Sequence, residues 1–378
     1  MNTNFLTVLH ASESDRRNLF LETAVRLGTP LRNVEKDFWV CFVLDLLFNG
    51  KLEDEPRLLF KGGTSLSKAY DLISRFSEDI DITVYREDIG HPTDIATLQS
   101  WGRNKRNDYL DAIKDTCSSY ILGNLKDRLT LQIQNELNNA GISMPALQVV
   151  IDTTDKDQQT LLVEYPSLES SGKDDYIESK VKIEVGAKSA LDPSRLVTIK
   201  PYAAQEFIGG DLSVPNVNCI APERTFWDKA VIAHGLRAWF EVRNSLRNNG
   251  NRISRHYYDL YMLLNNAVGQ NAIKDINLGK ECALHASIFF FDKDSQQKSA
   301  AEGNFLIHPS EAMIPALRKD YEQMSPMIFG ATPTFDEILE TIQSASIQLQ
   351  DYRVWGWPSG YSAYSTDRDR LFQIHRVR

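Results

Sequence analysis

Phe60-Lys61-Gly62-Gly63-Thr64-Ser65-Leu66, followed by Arg75-Phe76-Ser77-Glu78-Asp79-Ile80-Asp81-Ile82-Thr83-Val84, is the stretch that decides the fold. Leu58-Leu59-Phe60 is a short apolar run, cut off almost at once by two glycines. Leu66, Ala69, Tyr70 and Ile73 then recur at helical spacing, and Asp79 to Val84 alternates as a half-buried strand does. The segment predicts strand, tight turn, helix and strand. Glycines at such a turn let backbone N–H groups approach a ligand with no Cβ between them. A helix start adds unpaired N–H groups and a partial positive charge, which together make a seat for phosphate. Thr64 and Ser65 add hydroxyl donors. A Gly-Gly turn with a threonine cap is also how a purely structural helix begins.

Asp79 and Asp81 narrow the choice. Two residues apart on a strand, they project from one face. Neighbouring carboxylates repel unless a cation lies between them, and Mg²⁺ takes one or two carboxylates plus substrate phosphates. A solvated edge strand would carry the same pattern. Further on, Val181-Lys182-Ile183-Glu184-Val185 puts its apolar residues on one face and Lys182 with Glu184 on the other. Three carboxylates on one sheet face are what two-metal phosphoryl chemistry needs. Asp79, Asp81 and Glu184 would be the metal ligands, with Mg²⁺ or Mn²⁺ as the ion. Glu184 would also serve as base for an attacking hydroxyl. Gly62, Gly63, Thr64, Ser65 and Lys182 would contact the phosphates of an NTP. A surface Lys–Glu face is the bland alternative for Lys182 and Glu184.

Outward from this core, residues 12 to 48 read as two helices separated by Gly28-Thr29-Pro30, the second opening with Glu35, Lys36 and Asp37. A polar helical stretch covers about 93 to 139, and strand candidates are Leu147–Ile151, Leu161–Tyr165 and Val181–Val185. The first two are close enough to be a hairpin, so the sheet is expected to be mixed. From Pro222 the pattern turns helical, clearest over 223–242 and 254–265. Thr334-Phe335-Asp336-Glu337 has the form of a capping box. The expected fold class is α+β: a mixed-sheet domain over residues 1–218 with N-terminal helices, then a mainly helical domain over 219–378.

The chain has 378 residues, 42% of them hydrophobic and 25% charged, the balance of a globular protein of more than one domain. Its formal net charge of -9 argues against a protein that coats nucleic acid, though a local basic face can hold an RNA. Such a face is offered by Arg237, Arg243, Arg247, Arg252 and Arg255, with Glu241 the one carboxylate among them. Arg243 and Arg247 would share a helix face if the helix continues; a solvated helix end is the alternative. The four cysteines show no metal-ligand or disulfide spacing, which fits free thiols in a reducing cytoplasm. Met1 to Phe5 has no signal-peptide character, and the longest apolar run, Phe38 to Phe48, is too short for a membrane span. Cytoplasmic localisation is expected. Tyr352, Trp355 and Trp357 could stack a base, or simply pack.

The pattern Gly-Gly-Thr, then Asp-x-Asp, then an apolar-Glu-apolar strand resembles the core of DNA polymerase beta-like nucleotidyltransferases. More closely, Phe60–Leu66 and Arg75–Asp81 resemble the first motif of the AbiEii abortive-infection toxin family. Glu35-Lys36-Asp37-Phe38-Trp39-Val40 resembles its N-terminal helix. Glu223-Arg224-Thr225-Phe226-Trp227-Asp228-Lys229-Ala230 and Arg255-His256-Tyr257-Tyr258-Asp259-Leu260-Tyr261 resemble its two helical motifs, and Asp320-Tyr321 to Ile338 its C-terminal region. The resemblance implies a polymerase beta-like nucleotidyltransferase core, and the toxin of a toxin–antitoxin operon with a cognate antitoxin as partner. It implies use of an NTP, with some relatives extending tRNA ends, so an RNA acceptor is expected. It also implies that Lys229 contacts the nucleotide phosphates and that Asp259 orients or pairs with it. Transfer to a protein or a small molecule stays open, as does an NTP-binding module without catalysis.

Overall fold

The structure is a computed structural model and describes residues 1–169, 178–250 and 252–355. Three helices lead the chain: α1 (Asn4–His10), α2 (Glu13–Leu27) and α3 (Leu31–Phe48). Gly28 ends α2 in the left-handed region at φ 63°, and α3 begins directly after Pro30. The expected start at Glu35 is therefore wrong by a full turn. Glu35, Lys36 and Asp37 lie inside α3 and are buried, so they do not serve the helix dipole. Asp37 pairs with Lys68 at 2.6 Å, Lys36 with Glu78 at 2.7 Å, and Glu35 accepts from Leu168 N at 2.9 Å. The rest of α3 is apolar apart from the buried Asp45, which accepts from Asn2 N at 2.6 Å, because it packs between α2 and the sheet.

The sheet strands are β1 (Leu58–Lys61), β2 (Ile80–Val84), β3 (Gln148–Ile151), β4 (Thr160–Glu164), β5 (Lys180–Gly186), β6 (Ser194–Ile199) and β7 (Val214–Ile220). Their order is β3-β4-β5-β2-β1-β7-β6. β2 runs parallel to β5 and β1 parallel to β7, and the other pairs are antiparallel. The mixed sheet and the β3–β4 hairpin are as expected. β6 and β7 are additional, and β7 runs across the division expected at 218/219. In β5, Val181, Ile183 and Val185 are buried while Lys182 and Glu184 face the other way, half-buried, as the alternation requires.

Between β1 and β2 lies α4 (Gly62–Lys68), which is shorter than the apolar spacing suggests. The chain turns away at Asp71, where φ is 51°, and Leu72 and Ile73 leave the helix to pack with Leu66 in the C-terminal layer. Burying them there contributes more than another helical turn would, at about 1.5–3 kcal/mol per side chain. The following loop is tied down by Phe76 N to Met327 O (2.8 Å) and Phe329 N to Ser74 O (2.6 Å).

The helices α5 (Ile95–Ser100), α6 (Arg103–Tyr120) and α7 (Lys126–Asn139) come between β2 and β3, with one π turn between α6 and α7. After the sheet come α8 (Pro222–Arg243), α9 (Ser254–Leu264), α10 (Ala267–Ala272), α11 (Ile276–Phe289), α12 (Gln297–Ala301), α13 (Ile314–Met324) and α14 (Phe335–Trp355). α8 forms their centre, with Phe226 and Trp227 fully buried and Trp227 Nε1 donating to Ala272 O at 3.0 Å. α14 opens with the expected capping box: Thr334 N donates to Glu337 Oε2 (2.6 Å) and Glu337 N to Thr334 Oγ1 (3.2 Å). The buried apolar side chains form two clusters. One gathers the N-terminal helices and the sheet; the other gathers α8 to α14 with Leu66, Leu72 and Ile73. No helix among the described residues is long and apolar enough to cross a membrane.

Candidate active site

A cleft of about 700 Å³ opens where β1, β2 and the segment after β5 meet α8 and α9. On the sheet side it is lined by Lys61, Gly62, Gly63, Ser77, Asp79 and Asp81, and across from them by Arg75, Lys229, Arg255 and His256.

Strand register sets the carboxylates. Lys61 of β1 is the antiparallel partner of Asp81, and Glu184 of β5 is its parallel partner. Side chains of register partners share a face, so Lys61, Asp81 and Glu184 rise side by side, and Lys61 Nζ is 3.8 Å from Asp81 Oδ1. Asp79 stands just before β2. Burial pushes its carboxyl up to about 6, helped by the negative charges of Glu78, Glu184 and Asp81. Burial likewise raises Asp81, with Glu184 adding to the rise and Lys61, Arg255 and Lys229 opposing it.

The side chains do not close into the three-carboxylate cluster that the sequence suggests. Among the described residues no three His, Cys, Asp or Glu side chains are gathered closely enough to hold a metal ion. Glu184 instead reaches Lys182 Nζ at 2.5 Å. Like charges separate, and the neighbouring ammonium takes the third carboxylate. The donor set still fits a hard divalent cation. It consists of carboxylate oxygens, and Asp79 and Asp81 are pushed toward neutrality first by burial and then by neighbouring negative charge, that of Glu184 in both cases, a cost that a nearby cation would reduce.

The glycine turn is a close approach. Gly62 has φ +79°, and a Cβ there would lie 2.0 Å from Asp81 Oδ2; at Gly63 it would lie 2.5 Å from Arg75 Nη2. Both glycines are therefore required by the neighbouring charged groups as well as by any ligand. Thr64 and Ser65 were expected to offer hydroxyls to phosphate, but both side chains are buried. Thr64 Oγ1 donates to Asp79 O at 2.5 Å and sits 2.8 Å from Ser77 Oγ, while Ser65 Oγ donates to Gly62 O at 2.8 Å. Their hydroxyls brace the turn and the Asp79 backbone.

On the opposite wall Lys229 of α8 and Asp259 of α9 meet at 2.6 Å. Arg75 completes the group, giving Nε to Asp259 Oδ1 at 2.7 Å and Nη2 to Oδ2 at 2.8 Å. Asp259 is fully buried, which alone would raise its pKa, but Arg75 and Lys229 hold it well below the usual carboxylate range. Burial lowers the Lys229 pKa, and the positive charges of Arg75 and Arg255 lower it further against the pull of Asp259. Two cations share one carboxylate, so this wall carries surplus positive charge facing the aspartates. His256, which the sequence gave no reason to single out, lines the same cleft. Burial and the charges of Lys229 and Arg255 keep it neutral, and its Nδ1 has no hydrogen-bond partner among the described residues.

A sequence model of the nucleotidyl transferase AbiEii toxins of type IV toxin–antitoxin systems matches residues 45–341. The chain belongs to the AbiEii family. The matched span contains the Gly62–Gly63 turn, Asp79, Asp81, Glu184, Lys229 and Asp259; it begins after Glu35-Lys36-Asp37, whose side chains are engaged in holding α3 in place. Among solved structures, the nucleotidyltransferase toxin MenT4 of Mycobacterium tuberculosis H37Rv is similar, at 15% identity and a TM-score of 0.47, over 89% of each chain. No curated protein matches the chain.

The expected basic run is dispersed. α8 stops at Arg243, with Asn244 in the left-handed region, so Arg243 and Arg247 do not share a helix face. Arg237 pairs with Glu241 at 3.0 Å, Arg243 with Asp294 at 2.6 Å and Arg247 with Asp292 at 3.2 Å. Arg247, Arg252 and Arg255 nevertheless line the cleft, and the charge of Arg255 acts on Asp81. The side chains of Tyr352, Trp355 and Trp357 lie outside the described residues.

Proposed function

We propose that this chain transfers a nucleotide from an NTP to a hydroxyl of an RNA acceptor and releases pyrophosphate. The observation that carries the reading is the pairing of Asp81 with Glu184 across β2 and β5, beside the Gly62–Gly63 turn and opposite Lys229. The β- and γ-phosphates lie against the Gly62–Gly63 turn and the Lys229 ammonium, which acts as a compact point charge. Asp259 and Arg75 position that ammonium. The acceptor oxygen attacks the α-phosphorus, the bond to the β-phosphate oxygen breaks, and the hydroxyl proton passes to Glu184. Asp79, Asp81 and Glu184 would hold Mg²⁺ or Mn²⁺, which would supply positive charge for the acceptor hydroxyl and the leaving pyrophosphate. Lys182 leaves Glu184 when the site is charged and turns toward the phosphates. On this reading the nucleotidyltransferase domain is residues 1–218, its last strand running on to Ile220, and residues 219–378 supply the facing wall.

The test is incubation with Mg²⁺, each labelled NTP in turn, and total RNA or lysate protein. Label should enter RNA, and Asp81→Asn should abolish transfer while keeping the fold. Label in protein would overturn the RNA acceptor, and near-normal transfer by Asp81→Asn would overturn the metal site. As a toxin whose partner is an antitoxin, the chain expressed alone should slow growth, and Asp81→Asn should relieve it. Equal toxicity of both forms would point away from catalysis.

A further inference from the structure

A second cavity, of about 860 Å³, runs between the first turns of α6 and the segment joining α11 to α12. Arg103, Arg106, Lys188 and Lys298 line it, against Asp111 and Glu302. None of the four cations makes an ion pair among the described residues, in contrast to Arg237, Arg243 and Arg247. Phe290 and Phe291 stand at its rim with 51% and 53% of their surface exposed. Such exposure is unusual for phenylalanine, and the two follow one another at a helix end with about half of each side chain open, Phe290 resting on His285 at 6.0 Å between ring centroids.

The cavity adjoins the proposed catalytic cleft. Phe290 lines both, and Lys188 is followed directly by Ser189 and Ala190, which line the cleft. Lys188 also follows Glu184 closely along the same chain segment.

We propose that this groove holds the single-stranded end of the acceptor RNA, its phosphates on Arg103, Arg106, Lys188 and Lys298 and its bases stacked on Phe290 and Phe291. The proposal rests on the nucleotide-transfer reading for the identity of the cleft it feeds. Unpaired cations beside exposed aromatic faces are the combination that single strands use, because every base has a face to stack and every link a phosphate. A duplex hides its bases and would leave the phenylalanines unused. Acidic or apolar protein segments would not need both features along one track.

The experiment uses the full chain and a short fluorescein-labelled single-stranded RNA, with anisotropy read at several salt concentrations and no NTP present. The wild type should bind it more tightly than a duplex of the same length. Replacing Arg103, Arg106 and Lys298 together by Ala should weaken binding and reduce the slope of log K against log salt by about 2, at about 0.7 per lost contact. Phe291→Ser should weaken binding about tenfold and leave the salt slope alone, since one stacked base accounts for roughly 1–3 kcal/mol. Arg243→Ala, a paired arginine, should change neither. Lys298→Glu gives a second, single-site version of the charge arm should the triple variant melt early. Unchanged affinity and slope in the triple and Lys298→Glu variants, or equal affinity for duplex, would overturn the groove. Those results are independent of transfer: RNA labelling that persists with an unaltered KM in the triple variant would remove the groove and leave the enzyme, and strand binding without any transfer would do the reverse.

Discussion

Lys229 and Asp259, on different helices, meet at 2.6 Å in the wall that faces Asp79 and Asp81, and Asp259 also holds Arg75 through two hydrogen bonds. Arg75 belongs to the loop that precedes β2, and its backbone bridges to Ile328. One carboxylate therefore ties together the loop that delivers Asp79, the helix that delivers Lys229, and the C-terminal layer.

Asp259→Asn should cost stability on the order of 3–5 kcal/mol, because it leaves two buried cations without a counter-charge. Lys229→Met leaves the Arg75–Asp259 pair intact and removes only one charge, so its loss of stability should be smaller. Its NTP binding should fall by tenfold or more. Denaturant unfolding and titration calorimetry separate the two. A folded Lys229→Met protein with wild-type NTP affinity would make the lysine a brace and nothing more.

Gly62 tests the aspartate side. Its φ of +79° disfavours any L side chain, and the Cβ of alanine would sit 2.0 Å from Asp81 Oδ2. Gly62→Ala should therefore displace the Asp81 carboxylate as well as strain the turn by about 1 kcal/mol. Added Mg²⁺ should raise the melting temperature of the wild type, and Gly62→Ala should lose most of that increment. A full Mg²⁺ increment in the variant would show that Asp81 does not need this glycine to bind an ion.

How much of this was legible in the sequence follows from how local each signal is. The Gly-Gly turn, the alternating β5 strand and the Thr334–Glu337 box are set by a few adjacent residues, and the structure keeps them all. The length of α4 was not legible, because Leu72 and Ile73 suit a helix face and a tertiary pocket equally well. Glu35, Lys36 and Asp37 look like a helix start in sequence; only the positions of Lys68, Glu78 and Leu168 show that they are buried ties. The ion pairs within the basic run were hidden for a similar reason, although Arg247, Arg252 and Arg255 do line the cleft. Asp292 and Asp294, far along the chain, neutralise Arg247 and Arg243. Lys61 could have been found, since β1 and β2 flank a short connection and an antiparallel register places it opposite Asp81.

Glu35 gives a pH prediction that lies outside the cleft. Burial raises its pKa to about 7, with the charge of Glu169 adding to the rise, while hydrogen bonds from Leu168 N and Ser167 Oγ and the charge of Arg16 oppose it. In the unfolded chain a glutamate titrates near 4.3. Below that value both states hold the proton and Glu35 costs nothing. As pH rises toward 7 the unfolded chain releases its proton first, so the native state binds more protons and stability falls. Above about 7 the full penalty is present, on the order of 3 kcal/mol at about 1.4 kcal/mol per pKa unit. Glu35→Gln keeps an oxygen that can accept from Leu168 N and cannot ionise. Its melting temperature should exceed that of the wild type at pH 8, and the gap should shrink steadily to about a third of that at pH 5. Thermal unfolding of both proteins at pH 5, 6, 7 and 8 measures this directly. A gap that is constant with pH, or that widens on acidification, would mean that Glu35 is held ionised by Arg16 and its hydrogen bonds.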